Sequence, residues 1–444
     1  MEKKYSDEEI KKLLRENEIL KRDNKYLLKL TNSKRFKFAE KVANGFNVLF
    51  PKDTPQRKAV ESFGKIHKKR CEKKHHREMI KVGKKIREMA KPYDRVIVLN
   101  SVLWDLRLKQ RPHHLAQQLS RLGFFVIYLE YDNPVHNMRV IKKNLVTINS
   151  EAYLEALSSI TEKYFLSPNN MPTEYRILKK VVDEYGFKFI YDYLDEFHED
   201  ISGDLSIQMK VWDNLKKLNP VLCTVTATRL YDELKKHLGK RYKIIMVRNA
   251  VNVEHFDFRK NNSLIPADLK VVTKQKKPIV GFYGALAPWI DFSLINQVAE
   301  GHKEWNFVLL GIDYNGAAVD LKKNENVYNL GAKNYNDLPK YAKYFDCAII
   351  PFKQGEIAKA TSPVKLFEYM AAGLPTVCTR DLRECEGYEY VYMAKDKKEF
   401  EGMLKKAIKR HGEEKVRESL LAQAEQNTWE KRAVDIVEAL SSIK

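Results

Sequence analysis

The segment 361–375 constrains the fold of this chain most, because one short helix has both a start and a stop signal there. Ser362 is a preferred N-cap residue, and Pro363 suits the first helical position. Gly373 can end the helix in a left-handed conformation, and Pro375 cannot continue it. The sequence therefore predicts a short helix whose two ends are both fixed.

The polar face of this predicted helix carries the groups expected of an anion site. Val364 and Lys365 lie in its first turn, where the backbone amides have no partner within the helix. These amides and the Lys365 ammonium favour a bound anion. Glu368 lies one turn further on the same face, where it can accept hydrogen bonds from two hydroxyls. A nucleotide-sugar presents diphosphate and then ribose in this order. The alternative is an ordinary capped amphipathic helix.

The residues before this helix support the site interpretation. Residues 344–352 form a short apolar run that ends at a proline, which predicts a buried strand. The loop 353–360 then leads into the helix. A strand, a loop and a helix start in this order form the usual ligand position at the carboxyl edge of a parallel sheet.

The composition bounds the size and compartment of the protein. A chain of 444 residues with 44% hydrophobic residues is long enough for two domains with full cores. Its five cysteines show neither metal-ligand spacing nor a disulfide framework, which favours a reduced, cytoplasmic protein. The charged start is unlike a secretory signal, and no apolar run approaches the ~20 residues of a membrane helix. We expect a protein in the cytoplasm that lies on the inner face of the cell membrane without crossing it.

Two segments precede the predicted domains. Residues 6–31 carry heptads with Leu at every d position and Asn at two a positions. This favours a dimeric coiled coil over a solvated single helix in 1–32. Residues 33–93 are strongly basic, with 14 Lys and Arg against four Glu between Arg57 and Lys91. Such a run attracts anionic lipid at about 1 kcal/mol per charge or nucleic acid. Scarce aromatic residues weaken the nucleic-acid interpretation, and a merely solvated surface is the other alternative.

Two later parts of the chain, 94–250 and 277–426, alternate predicted strands and helices, the pattern of doubly wound parallel sheets. The predicted strands are 95–100, 124–130, 188–193, 221–226 and 243–248, followed by 278–283, 306–311, 327–330, 345–352 and 375–378. Residues 251–276 are polar and are predicted to connect the two parts. An amphipathic helix is predicted within 427–444.

With these elements in place, the chain resembles glycosyltransferases of the GT-B fold from bacterial capsule, exopolysaccharide and cell-wall synthesis. The type is family 4-like or the related xanthan-type glucuronosyltransferase branch. The likeness is carried by residues 248–256, 281–284, 307–311, 329–331 and 361–376. Residues 111–116 resemble a first-domain signature of the polysaccharide transferases, and 429–432 resembles the final helix that returns to the first domain. The resemblance implies two Rossmann-like domains that face a cleft, an acceptor domain followed by a nucleotide-sugar domain.

Two departures from the large retaining branch bear on the mechanism. That branch carries two glutamates, of which Glu368 matches the second, whereas Ala360 stands at the first position. It also carries an arginine and a lysine after the glycine that corresponds to Gly284, where this chain has Ala285 and Ile290. The usual cations for the leaving diphosphate are therefore missing.

The likeness to the branch with a Pro-Val-Lys-Leu-Phe-Glu sequence assigns stabilisation of the leaving diphosphate to Lys365, with Lys353 or Lys359 as candidate helpers and with neither a metal nor another cofactor. The donor side then comprises Gly284, Ser362, Pro363, Val364, Lys365 and Glu368.

The first domain offers the candidates for the acceptor side. These are Arg111, His113, His114 and Asp192. Asp195 or His113 is the candidate base for the proton of the acceptor hydroxyl. Each has an ordinary structural alternative, such as a capping aspartate or a histidine on a helix flank. The stereochemistry of the transfer is left open.

These observations predict an enzyme that transfers a sugar from a UDP- or GDP-linked donor to a lipid-linked or surface polysaccharide acceptor. We expect it to work as a dimer on an anionic membrane surface. One alternative is a non-catalytic coiled-coil adaptor whose degenerate transferase domain binds membrane or nucleic acid. The other is a nucleotide-sugar epimerase on the same architecture, which needs catalytic acids that face the donor sugar.

Overall fold

The computed structural model describes residues 76–130, 138–260 and 264–443. The predicted coiled coil in 1–32 and most of the basic segment lie outside these residues. In the part of the chain that the structure describes, no helix is long and apolar enough to span a membrane.

The first domain is built on an eight-stranded sheet. Its strands are β1 (Arg95–Asn100), β2 (Phe125–Leu129), β3 (Met138–Lys142), β4 (Leu145–Ile148), β5 (Glu162–Pro168), β6 (Lys188–Tyr193), β7 (Leu222–Val225) and β8 (Ile244–Met246). They lie in the order β3-β4-β2-β1-β5-β6-β7-β8. The edge strand β3 is antiparallel to β4, and the other pairs are parallel.

The second domain is built on a six-stranded parallel sheet. Its strands are β9 (Ile279–Tyr283), β10 (Asn306–Leu310), β11 (Val327–Asn329), β12 (Cys347–Ile350), β13 (Thr376–Thr379) and β14 (Val391–Ala394). They lie in the order β11-β10-β9-β12-β13-β14. Every residue of β2, β9 and β10 is buried, because helices cover both faces of each sheet.

The helices lie between the strands, as the alternating pattern predicted. In the first domain they are 76–90, Arg111–Arg121, Ala152–Ala156, Tyr175–Asp183, Glu199–Ser202, Ser206–Asp213, Leu215–Leu218 and Thr228–Leu238. From the connection onward they are Val253–Phe256, Lys270–Thr273, Phe292–Gly301, Leu338–Ala342, Glu356–Lys359, Val364–Ala371, Lys397–Arg410, Glu414–Glu425 and Trp429–Ser441. Short 3-10 helices are Phe258–Lys260, Ala317–Asp320, Tyr335–Asp337 and Arg383–Cys385.

The fold class predicted from the sequence, two doubly wound α/β domains, is confirmed. Four strands were not predicted: β3, β4, β5 and β14. The strands β3 and β14 are short and largely half-exposed, and β5 has only three consecutive apolar residues, so none gives a clear periodic signal. The connection 251–276, predicted without pattern, contains the short helices Val253–Phe256 and Lys270–Thr273.

The chain crosses between the two domains twice. The first crossing follows β8, and the second precedes the helix Trp429–Ser441, which packs on the first-domain helix Arg111–Arg121. The two crossings touch where Val251 pairs with Thr428. Loops that follow strands of the first sheet contact loops that follow strands of the second, for example where the Tyr335 N–H donates to the Arg107 carbonyl (2.9 Å). The carboxyl edges of the two sheets therefore face each other.

Candidate functional site

The helix Val364–Ala371, which we call the motif helix, begins one residue later than predicted. Pro363 is its N-cap, with extended backbone (φ −72°, ψ 120°), and no side chain caps it. The prediction that Ser362 is the cap was therefore wrong. The Ser362 Oγ instead accepts a hydrogen bond from the Asn249 N–H (3.3 Å). Without a side-chain cap, the first-turn amides stay available to an anion.

The Lys365 ammonium lies near two aromatic rings at the start of the motif helix. It is 5.7 Å from the ring centroid of Phe282 and 5.7 Å from that of Phe352. Burial lowers the Lys365 pKa, which the nearby Glu368 carboxylate partly offsets. Within residues 76–130, 138–260 and 264–443 this ammonium forms no ion pair, so its charge is available to a ligand.

Gly284 lets the loop after β9 approach this ammonium. Its φ of +147° is rarely adopted by other residues, and a Cβ there would lie 2.5 Å from the Lys365 Cε. Gly311, after β10, supports the same loop, since its own Cβ would lie 1.8 Å from the Gly284 carbonyl oxygen. The glycine pattern and the lysine, distant in sequence, therefore form one site.

Glu368 lies one turn further into the motif helix, with 6% of its surface exposed. Burial raises its pKa to about 7, although Lys365 and the Tyr283 phenol act in the opposite direction. The helix is attached to β9 by the Tyr369 hydroxyl, which accepts from the Tyr283 N–H (3.0 Å). The predicted pair of Lys365 and Glu368 on one face is thus placed at the carboxyl edge of the second sheet.

Ala360 occupies the position of the missing first glutamate. It is fully buried and packs with the apolar core of the first domain. A glutamate there would place an unpaired carboxylate in an apolar contact, which is strongly unfavourable. In this closed arrangement, position 360 joins the two domains.

Arg111 and Asp192 form a buried, two-pronged ion pair. The Arg111 Nε and Nη2 each donate to an Asp192 carboxylate oxygen at 3.0 Å. The Arg111 Nη1 donates to the Val247 carbonyl (2.8 Å), and the Thr224 hydroxyl donates to Asp192 (2.5 Å). Both side chains are therefore engaged inside the first domain.

Both ring nitrogens of His113 are engaged. Its Nδ1 accepts from the Gln110 N–H (3.1 Å), so its Nε2 carries the proton and faces the Leu103 carbonyl (3.0 Å). Burial lowers the His113 pKa to about 4. This histidine holds the loop after β1 in place.

His114 points to the domain interface. Its ring stacks on Trp429 with centroids 5.0 Å apart, and it lies 5.7 Å from the Tyr335 ring of the second domain. Burial lowers its pKa to about 3, so the ring is neutral at physiological pH.

Asp195 differs from the other first-domain candidates because its carboxylate is only partly engaged. One oxygen accepts from the Asn170 side-chain amide (2.8 Å), and no other described residue donates to its side chain. Burial raises the Asp195 pKa. No group of three or more His, Cys, Asp or Glu within the described residues is placed to hold a metal ion.

Sequence patterns did not predict the buried carboxylate of Glu384. It accepts from the Thr228 N–H (2.6 Å) and from the Arg248 guanidinium, both on the first-domain side. Beside it lies an interdomain cavity of about 600 Å³. Its lining includes Arg229, Asp232, Lys359, Arg383, Glu386 and Tyr388. Only long-range contacts define this region, so local periodicity contains no signal for it.

Several known proteins are similar to parts of this chain. Residues 277–410 match the family model for glycosyl transferases group 1. TuaH of Bacillus subtilis (strain 168), named as a teichuronic acid biosynthesis glycosyltransferase, is 28% identical over 214 residues. The match covers 46% of this chain and 53% of TuaH, so it spans about half the length of this relative.

Solved structures match across both domains. Sucrose-phosphate synthase from Thermosynechococcus elongatus has a TM-score of 0.60 at 14% identity, covering 78% of this chain and 98% of that one. A trehalose-6-phosphate enzyme from E. coli, bound with UDP-2-fluoro glucose, has a TM-score of 0.57 at 10% identity, covering 79% and 99%. Anabaena HepE in complex with UDP and glucose has a TM-score of 0.52 at 14% identity, covering 78% and 99%.

These likenesses show a GT-B fold. The chain has a two-domain GT-B fold, and residues 277–410 of its second domain match the model of group 1 glycosyl transferases.

Proposed function

We propose that this protein transfers a sugar from a nucleotide-diphosphate donor to a lipid-linked or surface polysaccharide acceptor of the cell wall. The observation that carries the proposal is the Lys365 ammonium, which no described residue pairs, at the uncapped start of the motif helix, beside Gly284 and one turn before Glu368. The name of TuaH supports a cell-wall polymer, and the UDP complexes of the structural neighbours support a nucleotide-sugar donor.

In this mechanism the diphosphate lies at the start of the motif helix. Breaking the sugar–phosphate bond leaves negative charge on the diphosphate. The Lys365 ammonium and the first-turn amides of Val364 and Lys365 stabilise that charge more than they stabilise the bound donor. Glu368 accepts hydrogen bonds from the two ribose hydroxyls. Each of these roles needs only groups of the second domain.

Asp195 is the proposed base if the enzyme inverts configuration. Its raised pKa and its partly free carboxylate suit a group that takes a proton from an acceptor hydroxyl. His113 is less suitable, because both of its ring nitrogens already have partners. In a retaining reaction the donor phosphate takes the proton instead.

Nucleotide binding tests this proposal directly. We expect one of UDP, GDP, CDP or ADP to raise the melting temperature of the full-length protein, because a ligand that binds only the folded state stabilises it. Lys365→Ala and Glu368→Ala should lose the shift, and Lys340→Ala, at an exposed lysine elsewhere in the domain, should keep it. No shift with any nucleotide would contradict the transferase and favour the adaptor.

Membrane attachment is proposed through the basic segment, and dimer formation through residues 6–31. The helix 76–90 docks on the first domain, where the Arg87 guanidinium donates to the Glu155 carbonyl (3.3 Å). Its outer face exposes Arg77, Ile80, Lys81, Lys84 and Lys85, with Glu88 as the exposed acid among them. Several lysines around one exposed isoleucine fit a surface that lies on anionic lipid.

Charge reversal on this helix should weaken vesicle binding. Changing Lys81, Lys84 and Lys85 to Glu is expected to reduce binding to phosphatidylglycerol vesicles at least about tenfold, since each charge near the surface contributes ~1 kcal/mol. Co-sedimentation at several salt concentrations measures this. The matched control reverses Lys398, Lys405 and Lys409, which are exposed on the second domain. Equal losses in both variants would contradict the proposed surface.

A further inference from the structure

The first crossing between the domains is held firmly by the first domain. The Val247 carbonyl accepts from Arg111 (2.8 Å), and the Arg248 carbonyl accepts from the Arg432 Nε (3.1 Å). Arg111 is itself fixed by its buried pair with Asp192. The backbone at 247–248 is therefore a rigid extension of the first domain.

Asn249, the next residue, reaches the second domain. Its backbone N–H donates to the Ser362 Oγ (3.3 Å), and its side-chain Nδ2 donates to the Ser362 carbonyl (2.7 Å). Ser362 is 3% exposed and directly precedes the N-cap of the motif helix. A residue fixed to one domain thus holds the entrance of the donor site in the other.

The hydrogen bond from the Asn249 N–H determines where the Ser362 hydroxyl can direct its own proton. Because the Ser362 Oγ accepts from Asn249, its proton is directed elsewhere, and no described residue accepts it. The neighbouring Thr361 hydroxyl differs, since it donates to the Ile357 carbonyl (2.6 Å). The Asn249 Oδ1 is also buried and has no partner among the described residues. A buried hydroxyl with a free proton at an uncapped helix start suits an anion.

We propose that Asn249 is a positioning residue that orients the Ser362 hydroxyl toward the diphosphate of the bound donor when the two domains are closed. The inference rests on the proposed function, since it assumes a nucleoside diphosphate at the motif helix. It adds a physical link between domain closure and donor binding. A domain movement that parted Asn249 from Ser362 would remove this orientation.

The test is a double-mutant cycle on the full-length protein. Calorimetry measures the Kd of the nucleoside diphosphate that binds best to the wild type, for Asn249→Ala, Ser362→Ala and the double variant. Ser362→Ala removes the hydroxyl and should weaken binding about tenfold, the size of one hydrogen bond to a charged group. Asn249→Ala removes the Nδ2 bond to the Ser362 carbonyl but keeps the backbone N–H bond to the Oγ, so the serine shifts and binding should weaken about threefold to fivefold. The double variant should bind no more weakly than Ser362→Ala, because Asn249 acts through Ser362. Thr361→Ala should leave the Kd unchanged.

The outcomes separate this inference from the proposed function. Additive losses, or an unchanged Kd in Asn249→Ala, would overturn the positioning role while nucleotide binding by the wild type stands. A wild type that binds no nucleotide would overturn both. If Asn249→Ala does not fold, Asn249→Asp keeps the side-chain size but places a carboxylate oxygen against the Ser362 carbonyl. Asn249→Asp should weaken nucleotide binding in the wild-type background and have no effect in the Ser362→Ala background.

Discussion

Lys365→Met is expected to lower kcat by about 10²–10³-fold, the usual effect of removing one group that stabilises charge in a transition state. Methionine is nearly as long as lysine and places an apolar, uncharged chain beside the Phe282 and Phe352 rings. The loss would therefore come from the charge and not from packing. Because charge on the diphosphate grows as the sugar leaves, kcat should fall more than KM rises.

The measurement is release of the nucleoside diphosphate, with the donor identified by the binding screen and a membrane lipid extract as acceptor. Lys340→Met is the matched control, because Lys340 lies on another helix of the same domain and is paired with Asp337 (2.7 Å). It should keep most of the activity. An unchanged kcat in Lys365→Met would mean that this lysine does not stabilise the leaving diphosphate. The helix amides would then be the stabilising groups.

The second domain could be predicted from sequence because its signals are local. Buried parallel strands read as short apolar runs, and Ser362 to Pro375 carry helix start and stop signals within one segment. The spacing of three between Lys365 and Glu368 requires only a helix to put them on one face. Even so, the start of the motif helix differed by one residue, because the proline serves as the cap and Asn249 engages the serine.

In the first domain, local sequence signals do not predict which polar side chains bind each other. Arg111 and Asp192 are 81 residues apart, and only the folded sheet shows that they bind each other. His113 looks available on a predicted helix, yet the loop after β1 folds back over it and takes both ring nitrogens. The Asp195 carboxylate is only partly engaged, because Asn170 is the one described residue that donates to it. The roles of polar groups in a cleft depend on such long-range partners, which periodicity does not report.

Ala360 is a related case. From sequence, the missing glutamate is one reason to consider the non-catalytic adaptor. The structure places this residue in the apolar contact between the domains, where a small side chain fits and a carboxylate does not. The small side chain at position 360 is therefore explained by how these two domains meet.

Gly284→Ala is expected to abolish nucleotide binding while the protein still folds. The new Cβ would lie 2.5 Å from the Lys365 Cε and 3.0 Å from its Nζ, so the loop and the lysine cannot keep their positions. The φ of +147° adds a backbone cost of about 1–3 kcal/mol for a residue other than glycine. Urea denaturation and calorimetry on the same sample measure stability and Kd separately.

Gly355→Ala separates these two effects. Gly355 has a similar φ of +142°, but nothing lies within 4 Å of its Cβ position. Both variants should lose stability because of this φ, and Gly284→Ala should lose more because its methyl group also meets Lys365. Only Gly284→Ala should lose the nucleotide, since only that methyl group displaces the Lys365 ammonium. Equal nucleotide affinities in the two variants would mean that the diphosphate does not lie beside Lys365.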